Sequence, residues 1–167
     1  MPNNTLIIKD GKIADNQWQI VDENYSDLSQ DYLLLPYSLW RANKDKLSQR
    51  VSEGKVGLLL EGDHNLQEQN EGIASFTLIA IRFPGFMDGR GFSVGRLLRE
   101  RYNFTGELRA SGGVIRDQLC YLQRCGFSSF DLNDDINIDA ALASLSDFSE
   151  GYQVSVDLPT PLFRRRA

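Results

Sequence analysis

The strongest constraint on this chain is its alternation of short apolar runs with longer stretches in helical register. Residues 32–35, 56–60 and 76–83 are short and mostly apolar, as strands covered on both faces are, and 106–110 and 127–132 are short strand-like runs bounded by turn formers. Residues 38–51, 93–102 and 114–125 stand between or beside them, with apolar side chains recurring at helical spacing; residues 137–148 follow the last run. Ser38 and Asn137 suit helix starts, and Gly54 and Gly126 suit helix stops. Residues 63–70 are polar around Leu66 and fit one or two helical turns at most. Strands separated by helices imply parallel, right-handed crossovers. The predicted fold is therefore an α/β three-layer sandwich around a mostly parallel sheet of about five strands. An open partial β/α barrel is the alternative, because sequence order does not distinguish a flat sheet from a curved one.

The flanks read differently. Asp10-Gly11 between residues 5–8 and 12–13 is a tight-turn signal, predicting an antiparallel N-terminal hairpin. Residues 18–21 suggest a further strand and 22–30 a polar linker. Residues 153–156 suggest a short edge strand before the basic tail Phe163-Arg164-Arg165-Arg166. Three stretches follow: residues 1–30 as appendage and linker, 31–150 as the α/β domain, and 151–167 as C-terminal strand and tail.

Composition narrows the function classes. Apolar residues make up 41% of the 167, enough for a real core. A net charge of −5 argues against a non-specific nucleic-acid binder, which needs a basic surface. No apolar run approaches the roughly 20 residues of a membrane helix, and the first residues do not read as an export signal. Cys120 and Cys125, five apart on one predicted helix, face different ways and are not expected to bridge. A cytoplasmic location is the expectation, with neither membrane nor nucleic acid as partner.

Two successive strand-to-helix junctions carry the unusual residues. The first runs Arg82-Phe83-Pro84-Gly85-Phe86-Met87-Asp88-Gly89-Arg90-Gly91-Phe92-Ser93. Its glycines free the backbone, and a helix start presents N–H donors to the loop. Arg90 adds a forked donor for an oxyanion. The second runs Glu107-Leu108-Arg109-Ala110-Ser111-Gly112-Gly113 and opens into Arg116 and Asp117. Glu107 and Arg109 alternate with Leu108 and Ala110, so both charges share one face. Arg82, Arg90, Arg109 and Arg116 could thus surround a small anion. The candidate ligand-binding set is Asp88, Gly89, Arg90, Gly91, Ser93, Glu107, Arg109, Ser111, Gly112, Arg116 and Asp117. The same residues also fit a structural reading, in which Asp88 and Arg90 brace the loop and Glu107 and Arg109 form an internal ion pair.

Other chemistry finds no motif. Val94 stands where a dinucleotide fingerprint needs its third glycine, and the phosphate-loop lysine is missing. His64 is the lone histidine, in a polar loop, and reads as a surface residue. No metal-ligand spacing exists, and two cysteines cannot hold a four-thiolate cluster. Cys125 sits near a helix C-terminus, which disfavours a thiolate. Neither metal nor cofactor is expected, and no catalytic residue is assigned.

The segments Asp88-Gly89-Arg90-Gly91-Phe92-Ser93, Leu97-Leu98-Arg99, Gly106-Glu107-Leu108-Arg109-Ala110, Asp117-Gln118-Leu119 and Arg124-Cys125-Gly126-Phe127 resemble the bacterial domain-of-unknown-function 934 family. Gly113 departs from the family pattern, where an acidic residue is expected. The resemblance implies a role in sulfite reduction, beside the assimilatory sulfite reductase. With no redox fingerprint in the chain, an accessory protein fits better than an electron carrier. It would bind a small oxyanion or anionic metabolite at the glycine loops, dock on the reductase, or do both. An enzyme acting on a phosphorylated or sulfur-bearing metabolite is the second reading, and a pure interaction module the third.

Overall fold

The computed structural model describes residues 6–147 and 153–165. The chain opens with β1 (Leu6–Lys9) and β2 (Lys12–Asp15), paired antiparallel. Asp10 and Gly11, at φ 49° and 73°, take the two left-handed positions that a tight hairpin turn requires. Six parallel strands follow: β3 (Gln19–Ile20), β4 (Leu33–Pro36), β5 (Val56–Glu61), β6 (Leu78–Phe83), β7 (Glu107–Gly112) and β8 (Ser129–Asp131). They lie side by side in chain order, and β1 closes onto β8 antiparallel. The sheet thus has eight strands in the order β2-β1-β8-β7-β6-β5-β4-β3.

That order forces curvature. β2 and β3 are the two opposite edges, yet only residues 16–18 separate Asp15 from Gln19. Four residue steps reach at most about 14 Å. Eight flat strands would span roughly 34 Å. The sheet must therefore roll up until its edges approach. This is the open partial barrel rather than the three-layer sandwich, and its eight strands exceed the expected five.

The layers agree. One face of the sheet holds Leu33, Leu35, Leu58, Leu60, Ile79, Ile81, Leu108, Ala110 and Phe130, packed against every helix with buried apolar residues. These helices are α1 (Tyr37–Ala42), α2 (Lys44–Ser52), α3 (Arg90–Glu100), α4 (Leu119–Arg124) and α5 (Ile138–Ser144). The concave face holds a smaller cluster of Leu34, Leu59, Leu78 and Ala80, covered by Trp18 from the crossing segment. A sequential, right-handed winding puts all crossovers on one side, so no helix layer is left for the other.

Several predicted elements change at their ends. The helix expected over 38–51 breaks at Asn43 into α1 and α2, and Pro36 rather than Ser38 precedes it. Ser38 donates its hydroxyl to Glu23. The helix expected from 114 starts as a 3₁₀ turn at Arg116–Gln118, leaving Ile115 exposed instead of inward. Residues 63–70 form turns, and a short 3₁₀ helix follows at Ile73–Ser75. Residues 153–156 form no strand, and α6 (Leu162–Arg165) follows them. Phe148, the expected end of α5, lies outside the described residues. No helix among the described residues is long and apolar enough to cross a membrane.

Candidate functional site

In a parallel sheet the loops leaving the carboxyl ends of the strands gather at one pole, where ligands collect. Both glycine loops lie there, and they touch. Gly113 donates its N–H to the Phe83 carbonyl at 2.7 Å, and Gln118 Nε2 donates to the Phe86 carbonyl at 2.9 Å. A Cβ added at Gly113 would stand 2.5 Å from Gly85 Cα, so these backbones meet without room for a side chain.

The arginines on these segments do not share a ligand position. Arg90 forks onto Asp88, with Nε at 2.9 Å from Oδ1 and Nη2 at 2.6 Å from Oδ2, and reaches Asp63 at 3.2 Å. Asp88 also accepts the backbone N–H of Arg90 at the first turn of α3. The protein's own carboxylate thus occupies the place where a helix terminus would hold an anion. Hydrogen bonds from the Arg90 side chain and backbone lower the Asp88 carboxyl to about 2. Arg116 is exposed beside Asp117 at 3.6 Å, and Arg82 bonds Glu61 at 3.0 Å. Gly89 and Ser93 are exposed, while Gly91 is buried under Phe83.

Arg109 lies elsewhere. It is 1% exposed on the concave face and binds Glu107 at 2.7 Å, Ser129 at 3.3 Å and Asn16 at 3.0 Å. Lys9 adds a second cation on Glu107 at 2.7 Å, and Ser129 donates to the same carboxylate at 2.6 Å. Burial works to raise the Glu107 carboxyl, but Arg109, Lys9 and Ser129 together hold it below its ordinary range. This network ties β7 to β8, to β1 and to the segment crossing the barrel. Arg99 is structural too, donating to the carbonyls of Gly126, Phe104 and Gly106 within 2.9 Å.

Two clefts open at the carboxyl pole. One, of about 1080 Å³, is bounded by Pro36, Glu61 and Arg82 at strand ends and by Arg41, Ser38, Ile20 and His64. His64 is half-buried, donates Nε2–H to the Gln69 carbonyl at 2.9 Å and rests its ring against Tyr37. Burial pushes its imidazole below the ordinary value. The other cleft, of about 560 Å³, is lined by Ser111, Gly112, Asp131, Asp134 and Asp135, with Ile20 arriving from the far edge of the rolled sheet. Of the residues anticipated from sequence, Arg82 borders the larger cleft and Ser111 and Gly112 the smaller, while Glu107 and Arg109 line a separate cleft with Trp18, Leu78 and Gly106. Asp131 was missed; its signal was a lone carboxylate between Phe130 and Leu132 in a strand without other charges. Ile20 carries no local signal at the smaller cleft, because only the rolled sheet brings it there; Arg41 and His64 reach the larger one from the segments that follow β4 and β5.

The loop tips also form an apolar surface. Met87 is 84% exposed, Phe86 57% and Tyr121 58%, with Ile115 beside them. Gln118 fastens this patch, bonding the Phe86 carbonyl and accepting the Ile115 N–H. Phe92 underlies Tyr121 at a ring separation of 5.2 Å. Cys125 is buried and Cys120 half-buried, unbridged, and burial pushes the Cys125 thiol up. Among the described residues no three His, Cys, Asp or Glu side chains stand together as a metal site.

No curated protein and no solved structure matches the chain. A family model described as "Bacterial protein of unknown function (DUF934)" matches residues 57–163, a span that takes in both glycine loops, the apolar tip and β5 to β8. The chain belongs to that family.

Proposed function

We propose that this chain is an accessory protein of bacterial assimilatory sulfite reduction, and that it works by docking on the sulfite reductase through the loop tips around Phe86 and Met87. The pathway comes from the family resemblance. The mode of action is carried by one observation: large apolar side chains project from loops that are hydrogen-bonded to each other. Contiguous exposed apolar surface rimmed by charge is the ordinary mark of a protein contact, and Met and aromatic residues are enriched in such contacts. Asp88, Arg90, Arg116 and Asp117 supply the charged rim. In the accompanying oxyanion mode, Arg90 would have to exchange Asp88 and Asp63 for the ligand, and Arg109 would have to leave Glu107. Docking requires no such exchange.

The test is association of the purified protein with purified sulfite reductase, followed by analytical ultracentrifugation and calorimetry. Phe86→Ser with Met87→Ser is expected to weaken association at least tenfold while leaving the circular dichroism and melting temperature unchanged, since both side chains face solvent. Parent protein that does not associate at micromolar concentration, or a double variant that binds like the parent, overturns the reading. Sulfite and sulfate titrations of the parent and of Arg90→Ala decide whether an anion takes part.

A further inference from the structure

The smaller cleft has unusual chemistry. Its floor is Ser111 and Asp131, register partners on β7 and β8. Strand alternation turns both to the concave face, opposite Ala110 and Phe130 in the main core. Ser111 is 1% exposed, and its Oγ has no hydrogen-bond partner among the described residues. Asp131 is half-buried, and the influences on its carboxyl are burial and the charges of Arg109 and Asp134, with no hydrogen bond among them. The hydrogen bonds of Arg109 go instead to Glu107, Ser129 and Asn16.

A buried hydroxyl with no partner among the described residues costs free energy, and so does a carboxylate half withdrawn from water. They are worth keeping where a ligand completes them. The carboxylate only accepts, and the hydroxyl can accept as well as donate, so a ligand donor satisfies both. Asp134 and Asp135 add two more carboxylates at the rim, which repels anions and favours a cation. The carboxylates do not stand together as a metal site. Ile20 supplies an apolar wall suited to methylene groups.

We infer that this cleft binds a small linear amine, with one ammonium group on Asp131 and Ser111 and its carbon chain along Ile20. A second ammonium, where present, meets Asp134 and Asp135. The site is separate from the apolar tip, so it stands or falls independently of the docking reading.

The probe is 1,4-diaminobutane, titrated into ¹⁵N-labelled full-length protein at constant ionic strength, with 1,4-butanediol as the uncharged control of equal length. The diamine is expected to shift the amides of Ile20, Gly112 and residues 131–135, at least tenfold more tightly than the diol. Asp131→Asn, nearly isosteric, is expected to weaken the diamine at least tenfold while the rest of the spectrum stays put, and Ser111→Ala to weaken it less. Three results each overturn the inference: no shift at these amides, equal binding of diol and diamine, or undiminished binding to Asp131→Asn. The last would mean that rim charge alone attracts the cation.

Discussion

Asp131 and Arg109 show how one concave face treats charge in two ways. Arg109 is fully buried but satisfied by Glu107, Ser129 and Asn16, so its desolvation is offset by charge-assisted hydrogen bonds. Asp131 has no such compensation. Burial raises its carboxyl above the ordinary value; Arg109 opposes that and Asp134 adds to it. A carboxyl raised on folding binds more protons in the native state between its two values. Stability therefore falls as pH climbs from about 4, the ordinary carboxylate value, through the raised one. Above the raised value the cost is fully present. Asp131→Asn is expected to raise the melting temperature at pH 7 by removing that cost. The gain should shrink toward pH 4, and calorimetric scans across that range check it; a variant less stable than the parent at pH 7 refutes it. Asp88 has the opposite sign. Its carboxyl is lowered to about 2, so the brace to Arg90 holds above pH 4 and is lost only as pH falls through about 2.

Among the elements, the paired glycine loops decide the surface. The loop after β6 and the loop after β7 are joined by the Gly113–Phe83 and Gln118–Phe86 hydrogen bonds, and their backbones meet at Gly85 and Gly113. A side chain at 113 would collide with Gly85 unless the loops separated. Gly113→Ala is accordingly expected to cost about 1–3 kcal/mol, the range for forcing a methyl into filled space, and to displace Phe86 and Met87. Urea unfolding measures the first effect. The second is read as weaker association with the reductase than the lost stability explains. An unchanged unfolding midpoint would show that the loops yield freely.

The whole molecule depends on a short crossing. Residues 16–18 carry the chain from one sheet edge to the other, and two of them bind what they cross. Asn16 accepts from Arg109 Nη1, and Trp18 packs on the Leu34, Leu59, Leu78 and Ala80 cluster, with its ring edge-on to Tyr32 at 5.5 Å. These contacts stand in for the second helix layer that a sandwich would have. Trp18→Ala is expected to cost about 3 kcal/mol, the low end for a large aromatic because the indole is only partly buried. Far-UV circular dichroism in urea should show one cooperative transition at a lower midpoint. A hairpin that melts first while β4–β8 persist would mean that the crossing does not couple the edges.

Much of this was legible one segment at a time. Apolar runs at 56–60 and 76–83 announced β5 and β6, Asp10-Gly11 announced the hairpin, and Asn137 announced α5 by accepting the Ala140 N–H. These depend on local periodicity and on one or two residues' backbone preferences, which chain neighbours alone determine. Three things were left open by the sequence. The sheet rolls rather than lying flat, Arg109 turns to Glu107 and Asn16 rather than to a loop anion, and Ile20 joins Asp131 at one cleft. Each depends on residues distant in the chain and brought together by strand order, and strand order is settled by which edges and faces bury one another. Amino-acid identity determined the charges and the strands; only the closure of the sheet decided which of those charges were paired off and which were left facing a cleft.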